Sequence, residues 1–291
     1  MRDDFACFIL THGRPDNVKT YATLRKAGYT GRIYIIIDDE DKAGDQYRAN
    51  YGDQVVTFSK AAIAPTFDEM NNFNDRRSVI YARNFCHDLA ERLGLTYFLE
   101  LDDDYSDFSH RFDSAGAYSS ITIVKTFDNV CDAMLCFLDD SGAVTVAMSQ
   151  GGDHIGGGGS HANEGAQVSL RRKAMNSFFC RADRRFKFCG TLNDDVNTYV
   201  SIGAIGGLFL TVMPVMLTQV QTQANSGGLT DIYLDSGTYA KSFYTVMAQP
   251  SSVKIGEMGD HRSPNYRIHH KIDWPKTVPM ILSPEHRKPR T

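Results

Sequence analysis

Tyr97-Phe98-Leu99-Glu100-Leu101-Asp102-Asp103-Asp104-Tyr105 decides how the chain folds. A mostly apolar run of this length reads as a buried strand, and three carboxylates follow it at once. Strand ends in α/β sheets face the crevice where ligands bind. Three aspartates there repel one another unless a positive group sits among them. A divalent cation takes oxygen ligands, often one or two carboxylates together with a substrate's phosphates. A solvated acidic turn is the alternative.

Upstream, Phe5-Ala6-Cys7-Phe8-Ile9-Leu10 reads as a strand ending at Thr11-His12-Gly13-Arg14-Pro15. Pro15 suits the first position of a helix, continued by Val18, Tyr21, Ala22 and Leu24 and closed near Gly28. A second strand, Arg32 to Ile37, runs into Asp38-Asp39-Glu40-Asp41. Strand, helix, strand in this span is a βαβ unit, which implies a parallel sheet covered by helices. The acidic cluster after it is either a loop cap or a contact to a ribose or base. Gln54 to Phe58 is a third strand. From Asp75 the periodicity of Val79, Ala82, Cys86, Leu89 and Leu93 predicts a long helix. On it Arg76 and Arg83 share a face, either in a salt-bridge network with the aspartates or as partners for phosphate oxygens.

Downstream, Thr126 to Asp139 reads as an amphipathic helix and Ala143 to Ser149 as a strand. Gly151 to Gly159 holds six glycines in nine residues, a composition that reads as a mobile loop, lid or binding loop. Phe178 to Arg181 and Phe186 to Phe188 look like strands around a turn. Asn193 is placed to cap a helix whose first turn holds Asp194 and Asp195, which the helix dipole favours. Phe209 to Leu217 is apolar strand, and Ile232 to Met247 a helix after the polar turn Ser226 to Asp231. His269 and His270 are adjacent on a strand, so they are expected on opposite faces.

The 291 residues are 42% hydrophobic and 23% charged, with 24 Gly and 9 Pro. This suits one large domain with a sizeable core, residues 1–283, followed by a polar tail, 284–291. No apolar run reaches membrane-spanning length, because Val200 to Leu217 is interrupted by Gly203, Gly206, Gly207 and Pro214. Met1-Arg2-Asp3-Asp4 has no signal-peptide layout, so a cytoplasmic location is expected. The six cysteines show no CxxC pair and read as buried free thiols. A net charge of −4 does not announce a nucleic-acid binder, although Arg171 to Lys173, Arg181 to Lys187 and His286 to Arg290 form local basic clusters.

In this order the pieces resemble a GT-A glycosyltransferase: a Rossmann-like α/β fold with a mixed, mainly parallel sheet flanked by helices. The marks are Thr11 to Pro15, Ile37-Asp38-Asp39, Arg83-Asn84, the DxD-type Asp102-Asp103-Asp104, Asp194-Asp195 and a C-terminal histidine. Residues 1–110 would form the nucleotide-sugar half and 111–283 the acceptor half. More narrowly, Ile80 to Asn84, Phe98 to Tyr105, Asn193 to Tyr199 and Ser226 to Asp231 resemble the phage glycosyltransferases associated with TET-type oxygenases. The resemblance implies transfer of a hexose or pentose from a nucleotide-sugar, a UDP-sugar, to 5-hydroxymethylcytosine in DNA. It further implies Mn2+ or Mg2+ held by Asp102 and Asp104, completed by His269 or His270. Thr11, Arg14 and Asp38, with Asp39, would hold base and ribose; Arg76, Arg83 and Asp103 would lie near the donor. Asp195, or else Asp194, would be the base of an inverting transfer. A glycan, protein or small-molecule acceptor, or an inactive nucleotide-binding module, are the alternatives.

Overall fold

In the computed structural model the described residues are 1–291 except 72, 114, 155–166, 220–231, 233, 234, 236, 238, 260, 261, 263–265, 280, 281, 285, 286 and 288–291. The glycine-rich stretch beyond His154, the Ser226 to Asp231 turn and most of the tail lie outside them. The chain runs β1 (Phe5–Leu10), α1 (Lys19–Lys26), β2 (Arg32–Asp38), α2 (Gly44–Tyr51), β3 (Val55–Phe58), α3 (Lys60–Ile63), α4 (Ile80–Arg92), β4 (Tyr97–Asp102) and β5 (Tyr105–Phe112). It continues through β6 (Tyr118–Ile123), α5 (Phe127–Ser141), β7 (Thr145–Gln150), β8 (Val168–Ser169), β9 (Ser177–Arg181), α6 (Asp194–Ala204) and β10 (Phe209–Gln219). It ends with α7 (Ala240–Ala248), β11 (Val253–Met258), β12 (Arg267–Ile272) and α8 (Trp274–Thr277).

One mixed sheet carries the strands in the order β3-β2-β1-β4-β9-β7-β10-β5-β6, and β11 pairs with β12 as a separate hairpin. The four strands β3, β2, β1 and β4 are parallel throughout, as the βαβ pattern predicts; β9 joins antiparallel to β4. This is the α/β class expected of a GT-A fold. Because helices cover both faces, the central strands are apolar on both sides. Phe5, Cys7 and Ile9 pack with α1 and α5 residues such as Leu24, Phe127 and Leu135. Ala6, Phe8 and Leu10 pack with α4 and α6 residues such as Phe85, Leu89, Val196 and Tyr199. Among the described residues no helix is long and apolar enough to cross a membrane.

Strand order fixes where the site lies. From β1 the chain winds outward to β2 and β3, then returns to place β4 on β1's other side. The crevice between the ends of β1 and β4 is a topological switch point, where open α/β sheets bind ligands. Leu10 pairs with Asp102 in the register, so Thr11 and Asp103 emerge side by side.

Several local expectations change. Pro15 precedes the helix instead of opening it, since α1 starts at Lys19. Helix α4 starts at Ile80, not Asp75: Asp75 accepts from the Arg77 backbone N–H and Ser78 donates to the Thr191 carbonyl. These side chains offer the backbone an alternative to helix, so Arg76 is off the helix and shares no face with Arg83. Phe186 to Phe188 is not a strand; Asn84 pins it by donating to the Phe188 carbonyl (3.1 Å) and accepting from its N–H (2.9 Å). Asn193 makes no side-chain cap. The cysteines are free, but Cys136 is exposed.

His87 on α4 is 2% exposed, and neither ring nitrogen has a hydrogen-bond partner. It sits edge-on to Phe98 and Phe186. Burial, aided by Arg185, holds its pKa down at about 4 from an ordinary 6.5. The unfolded chain therefore takes up a proton between those values that the folded chain refuses, and stability present at neutral pH is lost as pH falls through that window. Urea unfolding at pH 7 and pH 4 should show the native chain losing about 3 kcal/mol more than His87→Leu. Equal acid losses in both would reject a neutral buried imidazole.

Candidate active site

The site is built around Arg83, whose side chain is 3% exposed. Its Nη2 donates to Asp102 Oδ1 at 2.9 Å, and its Nη1 lies 3.7 Å from Glu100 Oε2. Its Nε is 2.9 Å from Asp194 Oδ2, an ion contact in which the N–H is not aligned for a hydrogen bond. The guanidinium lies over the rings of Phe178 and Phe188, 5.2 and 5.6 Å from their centroids. Burial draws the Arg83 pKa down, but Asp102, Asp194 and Glu100 more than reverse this and hold it above its ordinary value. One cation cannot neutralise three carboxylates. Burial pushes Glu100, the deepest, up to about 8, so it keeps its proton at neutral pH. Asp194 is likewise raised by burial, against the pull of Arg83.

The three aspartates divide. Asp102 is committed to Arg83 through one oxygen. Asp103 turns into the β1–β4 crevice, where Thr11 Oγ1 donates to it at 2.6 Å and Arg14 Nη1 at 3.1 Å; Tyr47 hydrogen-bonds Thr11 at 2.9 Å. Asp104 has a buried Oδ1 with no hydrogen-bond partner. Burial and then its neighbours Asp102 and Asp103 push it up to about 7. Thr20 at the start of α1 anchors this turn, donating to the Asp102 carbonyl (2.6 Å) and accepting from the Tyr105 N–H (2.9 Å).

At the end of β2, Asp38 is buried between His12 Nδ1 (2.7 Å) and Lys60 Nζ (3.1 Å). Burial pushes its carboxyl up, yet His12 and Lys60 outweigh this and hold it below the usual range; the same hydrogen bond raises His12. Asp39 is exposed and accepts from the Lys60 N–H, while Arg76 pairs with Glu40 at 3.0 Å. Arg76 and Asp39 thus border the crevice without meeting Asp102 to Asp104.

Asp195 is partly buried beside Asp194 and accepts from the Val196 N–H at 2.7 Å. Burial raises its pKa, against the pull of Arg83 and Lys173. The two histidine rings depart from the strand expectation. His269 and His270 do not diverge across the strand: their ring centroids are 4.1 Å apart, and His270 Nε2 is 2.7 Å from Lys173 Nζ. Among the described residues no three of His, Cys, Asp and Glu gather to hold a metal. A surface cleft of about 580 Å³ lined by His110, Phe112 and Gln167 includes none of these residues.

Glu100, Lys60, Thr20, Tyr47 and Lys173 are the contributors not anticipated from sequence. Glu100 carried a readable signal, since a lone acid inside an apolar strand must be paired or protonated. Lys60 follows a strand end on the same edge as Asp38. Lys173 looks like any residue of the basic run Arg171-Arg172-Lys173.

Removing one partner of a buried ion network leaves uncompensated charge, a cost of about 3–5 kcal/mol. Arg83→Met should lose that much in urea unfolding, whereas Arg48→Met, whose ion pair with Asp45 is solvent-exposed, should lose less than about 1 kcal/mol. Comparable losses would mean that Arg83 is not the structural centre.

Residues 5–228 match the model of the TET-associated glycosyltransferase family. No curated protein matches the chain. Among solved structures, S. aureus TarS is similar at 9% identity and a TM-score of 0.45 over 84% of this chain, which spans 40% of TarS. Glucosyl-3-phosphoglycerate synthase from Mycobacterium tuberculosis, in complex with Mg2+ and UDP, is 8% identical over 92% of this chain and 87% of its own, with a TM-score of 0.46. The same enzyme with Mn2+, UDP and phosphoglyceric acid gives 7%, 95%, 88% and 0.47. With a family match that takes in the β1–β4 crevice, Arg83 and the aspartates that end β4 and open α6, the chain belongs to the TET-associated glycosyltransferases.

Proposed function

We propose that the chain transfers a sugar from a UDP-sugar to the hydroxymethyl group of 5-hydroxymethylcytosine in DNA, with a divalent cation at Asp102 and Asp104. The observation that carries the transfer chemistry is the arrangement around Arg83, which ties the strand-end carboxylate Asp102 to the N-terminus of α6, where Asp195 stands. Support for the acceptor is the family's association with TET-type oxygenases.

The residues fit a cation on their own chemistry. Asp104 has an orphaned buried oxygen and is crowded by two further carboxylates, and Asp102 has a second oxygen not used by Arg83. Mn2+ or Mg2+ bound there would supply Lewis-acid stabilisation of a leaving diphosphate. His269 and His270 face Lys173 and take no part in this proposal.

On the donor side, Asp103 is spent on Thr11 and Arg14 and so shapes the crevice; Asp38, His12 and Lys60 form its far wall, where a nucleoside would lie. On the acceptor side, Asp195 takes the proton of the hydroxymethyl group as its oxygen bonds to the anomeric carbon. The bond from that carbon to the diphosphate breaks, and its electron pair leaves with UDP. A carboxylate of raised pKa is a stronger base. Asp194 is held by Arg83, which assigns it to positioning. In duplex DNA the base must be flipped out, at a cost of a few kcal/mol.

Calorimetric titration with UDP and Mn2+ should show metal-dependent binding to the native chain that Asp104→Ala loses. Asp195→Ala should bind UDP and Mn2+ as the native chain does while transfer falls by at least about 100-fold. Unchanged binding in Asp104→Ala would sink the metal assignment. For the acceptor, hydroxymethylcytosine DNA incubated with a panel of UDP-sugars and read by nucleoside mass spectrometry should gain one sugar mass. No mass shift with any donor would overturn the DNA reading and favour a glycan, protein or small-molecule acceptor.

A further inference from the structure

Beside Asp195 lies a second cluster of charge, and it is positive. Lys173 reaches it from the segment after β8, His269, His270 and Arg267 from β12, and Lys241 from the first turn of α7. The packing that assembles it is explicit. Thr245 on α7 hydrogen-bonds both Asn193 (2.5 Å) and Asn197 (2.9 Å), the residues two positions either side of Asp195. Thr245 also donates to the Lys241 carbonyl one turn earlier, so Lys241 shares the helix face turned to the start of α6. Helix α7 also packs against β11 and β12, which brings the histidine strand to the same corner.

Among the described residues Lys173 and Arg267 have no carboxylate within ion-pair distance, and the Lys173 ammonium donates instead to a neutral imidazole, His270 Nε2, at 2.7 Å. His270 is 4% exposed and its Nδ1 is buried with no partner. The two rings lie against each other rather than apart. Burial and then Asp195, opposing it, act on Lys173, whose pKa comes to about 8; burial and then Lys173 push His270 down to about 2. Asp195 is the acid common to Lys173 and Lys241. Like charges held together beside a reaction centre are relieved by an anion from the ligand.

We infer that Lys173, Lys241 and Arg267, gathered around His269 and His270 beside Asp195, form a phosphate subsite for the acceptor: it holds the phosphodiester next to the nucleotide whose hydroxymethyl group meets Asp195. This rests on the DNA-acceptor reading above. The same phosphate chemistry exists in the donor's diphosphate, and the test separates the two sources.

The test uses the full chain and a short single-stranded oligonucleotide with one hydroxymethylcytosine. A second oligonucleotide is identical except for neutral methylphosphonate linkages on either side of that nucleotide. Binding is read by fluorescence anisotropy, transfer by mass spectrometry, and UDP with Mn2+ by calorimetry. Lys241 and Arg267 are used because both reach solvent; the Lys241→Gln/Arg267→Gln variant should fold, and Lys173→Arg serves as a conservative third change. The native chain should bind the phosphodiester about tenfold tighter than the methylphosphonate. The double variant should lose that preference, and the slope of its binding with salt should fall by about 0.7 for each phosphate it no longer neutralises. Lys173→Arg should retain part of the preference. UDP affinity should stay unchanged. A preference intact in the double variant overturns the subsite. Weakened UDP binding with the oligonucleotide preference intact overturns it too and assigns the cluster to the donor diphosphate. If the native chain transfers nothing yet its phosphate preference disappears in the double variant, the subsite stands and the hydroxymethyl acceptor falls.

Discussion

Placing a guanidinium where water cannot reach it is the constraint on which the rest of this structure depends. Arg83 stands between three acids from two elements: Glu100 and Asp102 on β4, and Asp194 at the head of α6. A buried ion pair contributes little net stability, because desolvation offsets the attraction; what it contributes is a unique arrangement, since any other register strands a charge. The aromatic faces of Phe178 and Phe188 complete the enclosure. Asn84, the next residue, pins the Phe188 backbone and so aims the chain toward α6. Two adjacent side chains on α4 thereby set the distance between a strand-end carboxylate and a helix-borne one, although more than ninety residues of sequence separate them.

The same constraint explains why the three consecutive aspartates do different work. Alternation along the chain sends Asp102 toward Arg83 and Asp103 into the crevice beside Thr11 and Arg14, leaving Asp104 with an oxygen that has no hydrogen-bond partner among the described residues. A cationic side chain thus meets each of the first two within ion-pair distance, and among the described residues none meets the third. A carboxylate that folding leaves uncompensated is the part of an acidic turn most open to a ligand.

What could be read from sequence was what is periodic or local. The βαβ unit, the apolar run into Asp102 and the amphipathic α5 carry their own patterns, and the family resemblance rests on short ordered motifs. What could not be read depended on partners far along the chain. Asn193 looks like a helix cap, but its side chain is drawn to Thr245, so the helix starts without it. The Asp75 to Val79 stretch has helical spacing, but Ser78 donates to Thr191, over a hundred residues away. His269 and His270 obey strand alternation in burial, one partly exposed and one buried, yet the rings lie together because the Lys173 ammonium holds His270 through Nε2. The segment from Phe186 to Phe188 has the composition of a strand and is denied a ladder because Asn84 already takes the Phe188 N–H and carbonyl.

Asp195 ends up on a boundary between two kinds of electrostatics. On one side are acids, Asp102 and Asp194, sharing one buried arginine; on the other are Lys173 and Lys241 around two imidazoles. A proton acceptor at such a boundary is pulled both ways: burial and the acids raise its proton affinity, while Arg83 and the ammonium keep its charged form accessible. Neither influence alone suits a base, since a fully compensated carboxylate is too weak and an uncompensated one is already protonated. The opposition also bears on the overall charge of −4, which argues against affinity for a polyanion spread over the whole surface. Under the proposed DNA-acceptor reading, an acidic chain with cations collected at one corner would restrict contact to the phosphates flanking the base that enters there. On that proposal, binding organised in this way would cost affinity for bulk DNA and concentrate what remains beside Asp195.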